Sequence, residues 1–374
     1  MIDYNKEEIE GGIPKGTLSW RTHMTKFTQD ELLEVLEPLL RAHSPSGDEA
    51  EVDAVILDQL GGGLDVRRYS GGQLIVRIPG RRQGDGVLLA AHKDEIGMIV
   101  KRIEEDGKVR VAPLGGTYPW KYGEGPVEML VEGGTVEGVL SVGSVHVSPE
   151  TKHVHEAKKE KPLDWPMVYV DTKLGRDELL KRGVRPGVRV VVHRSRKSPL
   201  VWNGYVGAFG LDDKGGVAIL VLLARALHEE PPELTTYLAF TSAEEVGAAG
   251  GLLALEEVRA GALIAVEIGP VEEEYGLEND HRPIVWYKDS LHTYDKSLSD
   301  RLVKVGEEAG IEVQTAVYTS AGTDASAARK VGRIGRVACL SFPTQNTHGF
   351  EVSNIEGMLN TAALLWEFLK RGEV

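Results

Sequence analysis

One cysteine, Cys339, occurs in the 374 residues, so no internal disulfide can form, and its place inside an apolar strand-like run fits a reducing compartment. Long hydrophobic runs are also missing. The longest, Val217 to Leu227, is too short to span a bilayer, and Met1 to Gly12 is acidic with no apolar h-region. Basic residues are fewer than acidic ones, 43 against 57, for a net charge of −14, which excludes a nucleic-acid partner and an anionic membrane surface. Neither an internal repeat nor a low-complexity tract is visible. Gly207 to Gly210 lacks the Lys-Ser/Thr continuation of a phosphate loop. A cytoplasmic protein is the expectation.

The length suggests two domains, or one large domain with an insertion. Residues 1–26 have no periodicity and are expected to be an extension. Thr28 to Glu31 has the pattern of a capping box opening an amphipathic helix with Leu32, Leu33, Leu36 and Leu39 on one side. Ser46 with Glu49 is expected to cap a second helix carrying Val52, Val55, Ile56 and Leu60. From 101 to 200 the texture becomes short alternating runs punctuated by glycine pairs, which predicts a small inserted β-barrel. Beyond Gly210 the pattern predicts helix 214–228, strands 235–241 and 263–267, helix 297–309, strand 313–318, helix 324–331, strand 337–342 and helix 354–370. That succession is an α/β sandwich, with 27–100 and 201–374 forming one discontinuous domain around the insert.

Chemistry gathers at the ends of the strand-like runs, where open α/β sheets place functional groups. His92 follows Val87 to Ala91, Glu244 and Glu245 follow Tyr237 to Thr241, and Glu267 ends Leu263-Ile-Ala-Val266; His348 lies downstream of Val337 to Phe342. Asp212 follows a glycine turn and precedes a helix, where a carboxylate also serves as an ordinary cap. His92 and Asp94 share one side of an extended backbone, so Asp94 is expected to orient the imidazole. Adjacent carboxylates such as Glu244 and Glu245 repel when buried, unless one faces a cation. Taken jointly, two histidines, a candidate bridging Asp212, Glu245 and Glu267 supply nitrogen and oxygen ligands for two borderline divalent ions such as zinc or cobalt. Glu244 is left over as the base. Gly322-Thr323-Asp324-Ala325 either lines a substrate pocket or caps the helix after it. The insert's His146, His153 and His155 sit among lysines, which argues for a solvated loop over a third metal site.

The ordered motifs His92-x-Asp94-Glu-Ile-Gly97, Leu211-Asp-Asp213, Glu244-Glu-Val-Gly247, Gly322-Thr-Asp-Ala325 and a late His348 resemble those of the tetrahedral aminopeptidases, dinuclear-metal exopeptidases related to glutamyl aminopeptidase. The resemblance runs from about 27 to 370, and Pro45-Ser-Gly47 and Pro113-Leu-Gly-Gly116 belong to it. It implies a three-layer α/β/α phosphorylase/hydrolase-like catalytic domain with an inserted PDZ-like assembly barrel, in a homo-oligomer between dimer and dodecamer. It further implies that Asp212 bridges two ions, with His92 and Glu267 completing one site, Glu245 and His348 the other. Glu244 is then the general acid/base, Asp94 orients His92, and a non-proline cis peptide follows Asp212. Two positions depart from the family pattern: Glu267 stands where Asp is usual, and Lys214 where Arg is. Some members carry an endoglucanase label, but glycoside hydrolysis calls for two carboxylates flanking the scissile bond rather than a histidine–carboxylate cage. The reading is therefore a dinuclear-metal aminopeptidase acting on peptides. Its rivals are a deacylase of N-acyl amino acids on the same cage and a metal-free assembly or binding protein.

Overall fold

A computed structural model describes residues 26–150, 154–155 and 162–372. Apart from Lys26, the expected extension 1–26 lies outside the described residues, as does His153. Thr28 opens α1 (Gln29–Arg41) with a reciprocal cap: its Oγ1 accepts the Glu31 N–H, and its own N–H donates to Glu31 Oε2 at 2.8 Å. Leu32, Val35, Leu36, Leu39 and Leu40 bury one face of that helix. The following helix, α2 (Ala50–Leu60), has no side-chain cap, contrary to the role expected of Ser46. The Ser46 hydroxyl instead donates to the buried Asp94 carboxylate at 2.6 Å, a charged acceptor that outcompetes a helix-end N–H.

After β1 (Asp65–Arg68), β2 (Leu74–Ile78) and β3 (Gly86–His92) the chain enters a closed six-stranded barrel. Its strands are β4 (Gly97–Ile103), β5 (Val109–Leu114), β6 (Gly125–Val131), β7 (Gly134–Ser141), β8 (Tyr169–Asp171) and β9 (Arg189–Val192). Two short helices, α3 (Pro119–Tyr122) and α4 (Arg176–Lys181), interrupt them. The barrel has its own core, including Met98, Val111, Met129, Val170 and Val190. It starts at Gly97 rather than 101, because β4 pairs with both β5 and β9 directly after the turn that follows His92. Leu200, at the expected far boundary, already belongs to the large sheet.

The large sheet is completed by β10 (Leu200–Trp202), β11 (Tyr205–Phe209), β12 (Thr236–Thr241), β13 (Ala260–Pro270), β14 (Ile284–Lys288), β15 (Gln314–Val317), β16 (Val337–Gln345) and β17 (Phe350–Asn354). Its order is β1-β2-β12-β3-β13-β16-β17-β11-β10, with β14 and β15 branching from β16. Between and beyond these strands run α5 (Leu211–Glu229), α6 (Gly250–Glu257), α7 (Lys296–Ala309), α8 (Asp324–Lys330) and α9 (Ile355–Arg371). Strand periodicity sorts side chains between two cores. Val87, Leu89 and Ala91 of β3 face the core shared with α1, α2, α5, α7 and α9, while Leu88 and Ala90 face the core shared with α6 and α8. The result is the three-layer α/β/α sandwich the sequence predicts. Helix α6 and strands β14 and β17 were not among the predicted elements; each is short, and tertiary pairing rather than local pattern defines it. No helix among the described residues is long and apolar enough to cross a membrane.

Candidate metal centre

Three parallel strands set the floor. Thr241 of β12 pairs with His92, and Ala265 of β13 pairs with Ala90, so two residues further along His92 and Glu267 stand level on the same face. Glu244 and Glu245 follow Thr241 in the adjoining turn. Asp212 arrives from the end of β11 at the start of α5, where Asp212 and Asp213 depart from helical angles and their peptide bond is cis. His348 comes from the β16–β17 connection.

The structure brings all six strand-end residues to one place. His92 Nε2 lies 2.9 Å from Asp212 Oδ1 and 3.7 Å from Glu267 Oε1, and His348 Nε2 lies 3.4 Å from Asp212 Oδ2. Two groups that could each hold a metal ion result, His92–Asp212–Glu267 and Asp212–Glu245–His348, each with donor atoms within 4.8 Å of one another and with Asp212 common to both. Glu267 Oε1 also accepts the Ile268 N–H at 3.0 Å. Main-chain carbonyls hold both imidazoles. His92 Nδ1 is 2.9 Å from the carbonyl of Asp94, and His348 Nδ1 is 2.6 Å from that of Gly116. A carbonyl only accepts, so each Nδ1 carries a proton, and Nε2 is the ring nitrogen left to face a cation at the centre.

Asp94 accepts from the His92 ring through its backbone carbonyl, and its carboxylate, whose nearer oxygen is 3.6 Å from Nδ1, makes a longer ion pair with the same ring. Three other donors converge on that carboxylate: the Ser46 hydroxyl and the N–H groups of Glu244 at 3.2 Å and Glu245 at 3.3 Å. Lys93, between them on the strand, points the opposite way to Asp53 of α2 and the Gly72 carbonyl.

The donor set fits divalent cations. Burial and the neighbouring carboxylates push Glu245, Glu267 and Asp213 well above the usual carboxylate range. Burial, then Asp324, Asp212 and Asp94, push Glu244 up to about 8. Burial alone would lower His92, but the carboxylates of Glu267, Asp212 and Asp94 outweigh it and raise the imidazole well above its usual value. Glu245 Oε1 is buried with no hydrogen-bond partner. An acceptor left so costs about 1–3 kcal/mol, a penalty that a cation removes. Nitrogen and oxygen donors crowded this closely suit borderline divalent ions.

Around the centre lies a cavity of about 500 Å³. Its lining includes the buried Ile268, Trp286 and Tyr318 and also Tyr118 and Trp120, stacked with ring centroids 5.9 Å apart and each 56% exposed. Gly322 lines this cavity. Thr323 and Asp324, which the sequence grouped with it, sit behind the wall: Thr323 Oγ1 caps α8 through the Ser326 N–H and meets the Tyr294 hydroxyl, and Asp324 accepts the Thr241 hydroxyl at 2.7 Å. Glycines allow that close approach, since a Cβ at Gly250 would stand 2.7 Å from Asp324 Oδ2.

Two buried acids escaped the sequence reading. Glu351 accepts the N–H of Asp212 and that of His348, each at 2.9 Å. Glu95 receives Lys197 Nζ at 2.5 Å and Lys214 Nζ at 3.0 Å; Lys197 also meets His43, whose other ring nitrogen faces Glu128 of β6. Glu351 stands in the strand-like run Phe350 to Val352, which was the available signal, whereas Glu95 follows the charged His92-Lys-Asp94 and carries none.

Residues 72–364 match the model of the M42 glutamyl aminopeptidase family. A lysyl aminopeptidase of Pyrococcus furiosus is 25% identical over 299 residues, 76% of this chain and 82% of that protein. The Pyrococcus horikoshii TET1 peptidase, which assembles into a tetrahedron or a large octahedral shell, is 25% identical, with a TM-score of 0.81 over 90% of this chain and 99% of its own. The aminopeptidase APDkam598 of Desulfurococcus kamchatkensis shares the fold with a TM-score of 0.82 at 21% identity, covering 92% of this chain and 95% of its own.

Proposed function

The chain belongs to the M42 glutamyl aminopeptidase family and is a metal-dependent aminopeptidase; on that premise we propose that it uses two divalent ions, zinc or cobalt, with Glu244 as the general acid/base. The observation that carries this is the pair of ligand groups sharing Asp212. His92, Asp212 and Glu267 would hold one ion, and Asp212, Glu245 and His348 the other. When bound, such ions supply Lewis acidity that polarises the scissile carbonyl and eases proton loss from the attacking water. Glu244 lines the cavity beside both groups and is a member of neither. It takes the proton from water and delivers it to the leaving amine. Asp94 holds the Glu244–Glu245 turn through two main-chain N–H groups. The buried lining of Ile268, Trp286 and Tyr318 suits the N-terminal residue of a peptide, and the exposed Tyr118 and Trp120 suit the chain that follows it.

The barrel is an assembly module in this reading, and the enzyme is a cytoplasmic homo-oligomer between a dimer and a dodecamer. The assembly of the related TET1 peptidase and the barrel's separate core support that part. Metal-stripped protein reloaded with zinc or cobalt and offered aminoacyl-p-nitroanilides and N-acyl amino acids tests the chemistry. Release of p-nitroaniline only from the loaded protein is the expected result. Cleavage confined to the N-acyl compounds would replace the reading with a deacylase.

A further inference from the structure

We propose that Glu351 is a positioning residue whose single carboxylate sets Asp212 and His348 at the separation the second ligand group requires; the proposal rests on the two-ion reading above. Strand β17 runs antiparallel to β11 with Glu351 opposite Ala208, so the side chain stands beside the strand that leads to Asp212 and three residues beyond His348. Its Oε2 accepts the Asp212 N–H and its Oε1 the His348 N–H, each at 2.9 Å, and the residue is 1% exposed. Both oxygens are thus engaged, and Glu351 belongs to neither ligand group.

The chemistry of the partners dictates the residue type. Both are main-chain donors, and a carboxyl group can turn an accepting oxygen to each. A glutamine of the same shape would turn an NH₂ donor on one of the two N–H groups. The conformation of the loop adds a second reason. His348 has φ 58° and Asn346 φ 60°, the left-handed region that side-chain-bearing residues rarely adopt, so the surroundings must hold it. Two contacts do: Glu351 grips the main chain of His348, and the Gly116 carbonyl grips its ring. With the first gone, the ring keeps its anchor while the backbone beneath it relaxes, and Nε2 moves off Asp212.

The test is a calorimetric titration of cobalt(II) into metal-stripped wild type, E351Q, E351D, H348A and the E351Q/H348A double variant, with steady-state kinetics and metal-free thermal unfolding alongside. Wild type should take two ions per chain. E351Q should keep the first at wild-type affinity, bind the second about 10- to 100-fold more weakly, and lose kcat with little change in KM. E351D, which retains two acceptors on a shorter stem, should weaken the second ion alone and by less. Adding E351Q to H348A should change second-ion affinity little beyond H348A, because the two act through one contact. The proposal is overturned by wild-type affinity for both ions in E351Q or, should that variant not fold, in E351D. Equal weakening of both ions together with a lower metal-free unfolding temperature also overturns it, as the mark of a merely structural residue. A wild type that takes fewer than two ions overturns the two-ion reading itself.

Discussion

Asp94 Oδ1 accepts the main-chain N–H of Glu244 at 3.2 Å, so the end of β3 fixes the turn that follows β12. Its second oxygen does the same for Glu245. Replacing Asp94 with Ala should therefore loosen the Glu244–Glu245 turn and leave the His92 ring in place, since the backbone carbonyl survives the substitution. A loss of kcat of about 10- to 100-fold is expected, with one ion per chain retained, read by kinetics and elemental analysis. Loss of the His92 ion instead would show that the carboxylate's longer contact, and not the carbonyl, holds the imidazole.

Asp212→Ala should remove both ions, because its two oxygens serve both groups. Glu267→Ala should remove one. Metal content per chain of purified protein distinguishes them, and two ions retained by Asp212→Ala would sink the shared-ligand assignment.

Glu244→Gln keeps the shape of the side chain and leaves the ligand groups intact. Both ions should stay bound while kcat falls about 10²-fold or more, the scale for losing a general acid/base. Turnover near wild type would place the base elsewhere.

Glu95 gives a pH dependence of stability. Burial alone would raise it, but Lys197 and Lys214 prevail and hold it down to about 2. Its unfolded value is about 4.3, so the carboxylate stabilises the fold fully above that pH and the contribution disappears as pH falls from about 5 towards 2. Glu95→Gln leaves two buried ammoniums without their counter-charge and should destabilise by about 3–5 kcal/mol at neutral pH, with a flatter acid limb. Denaturant unfolding at pH 7, 5 and 3 measures both effects.

Sedimentation together with a length series of peptides checks the assembly. A closed homo-oligomer should process short peptides and spare folded proteins. A monomer that digests folded substrates as readily as tripeptides would contradict it.

Much of the centre was legible because strand ends announce themselves. An apolar run that stops at or just before a histidine or carboxylate places that group near the carboxyl end of a strand, and His92, Glu244, Glu245 and Glu267 all carry this mark. Asp212 and His348 lie in turns and became readable only as members of the set. The helices were legible from their apolar stripes and caps: Asp324–Lys330 and Lys296–Ala309 fall within a residue of expectation. Ser46 was misread because a serine ahead of a helix is so often its cap, and nothing local reveals that Asp94 lies within 2.6 Å across the fold. Thr323 and Asp324 were grouped with Gly322 by adjacency, whereas the start of a helix turns neighbouring side chains in different directions.

What this sequence determined by itself is the inventory and the layers. The alternation of apolar periods dictates a sheet between helices, and the residue types at strand ends dictate a nitrogen–oxygen ligand set. Only the tertiary structure decided which polar group serves which. Glu351 reaches Asp212 across 139 residues of chain, and Asp94 reaches Glu244 across 150. A hydrogen bond depends on tenths of an ångström and on the direction of a lone pair, quantities that exist only once β3, β11, β12 and β17 lie side by side.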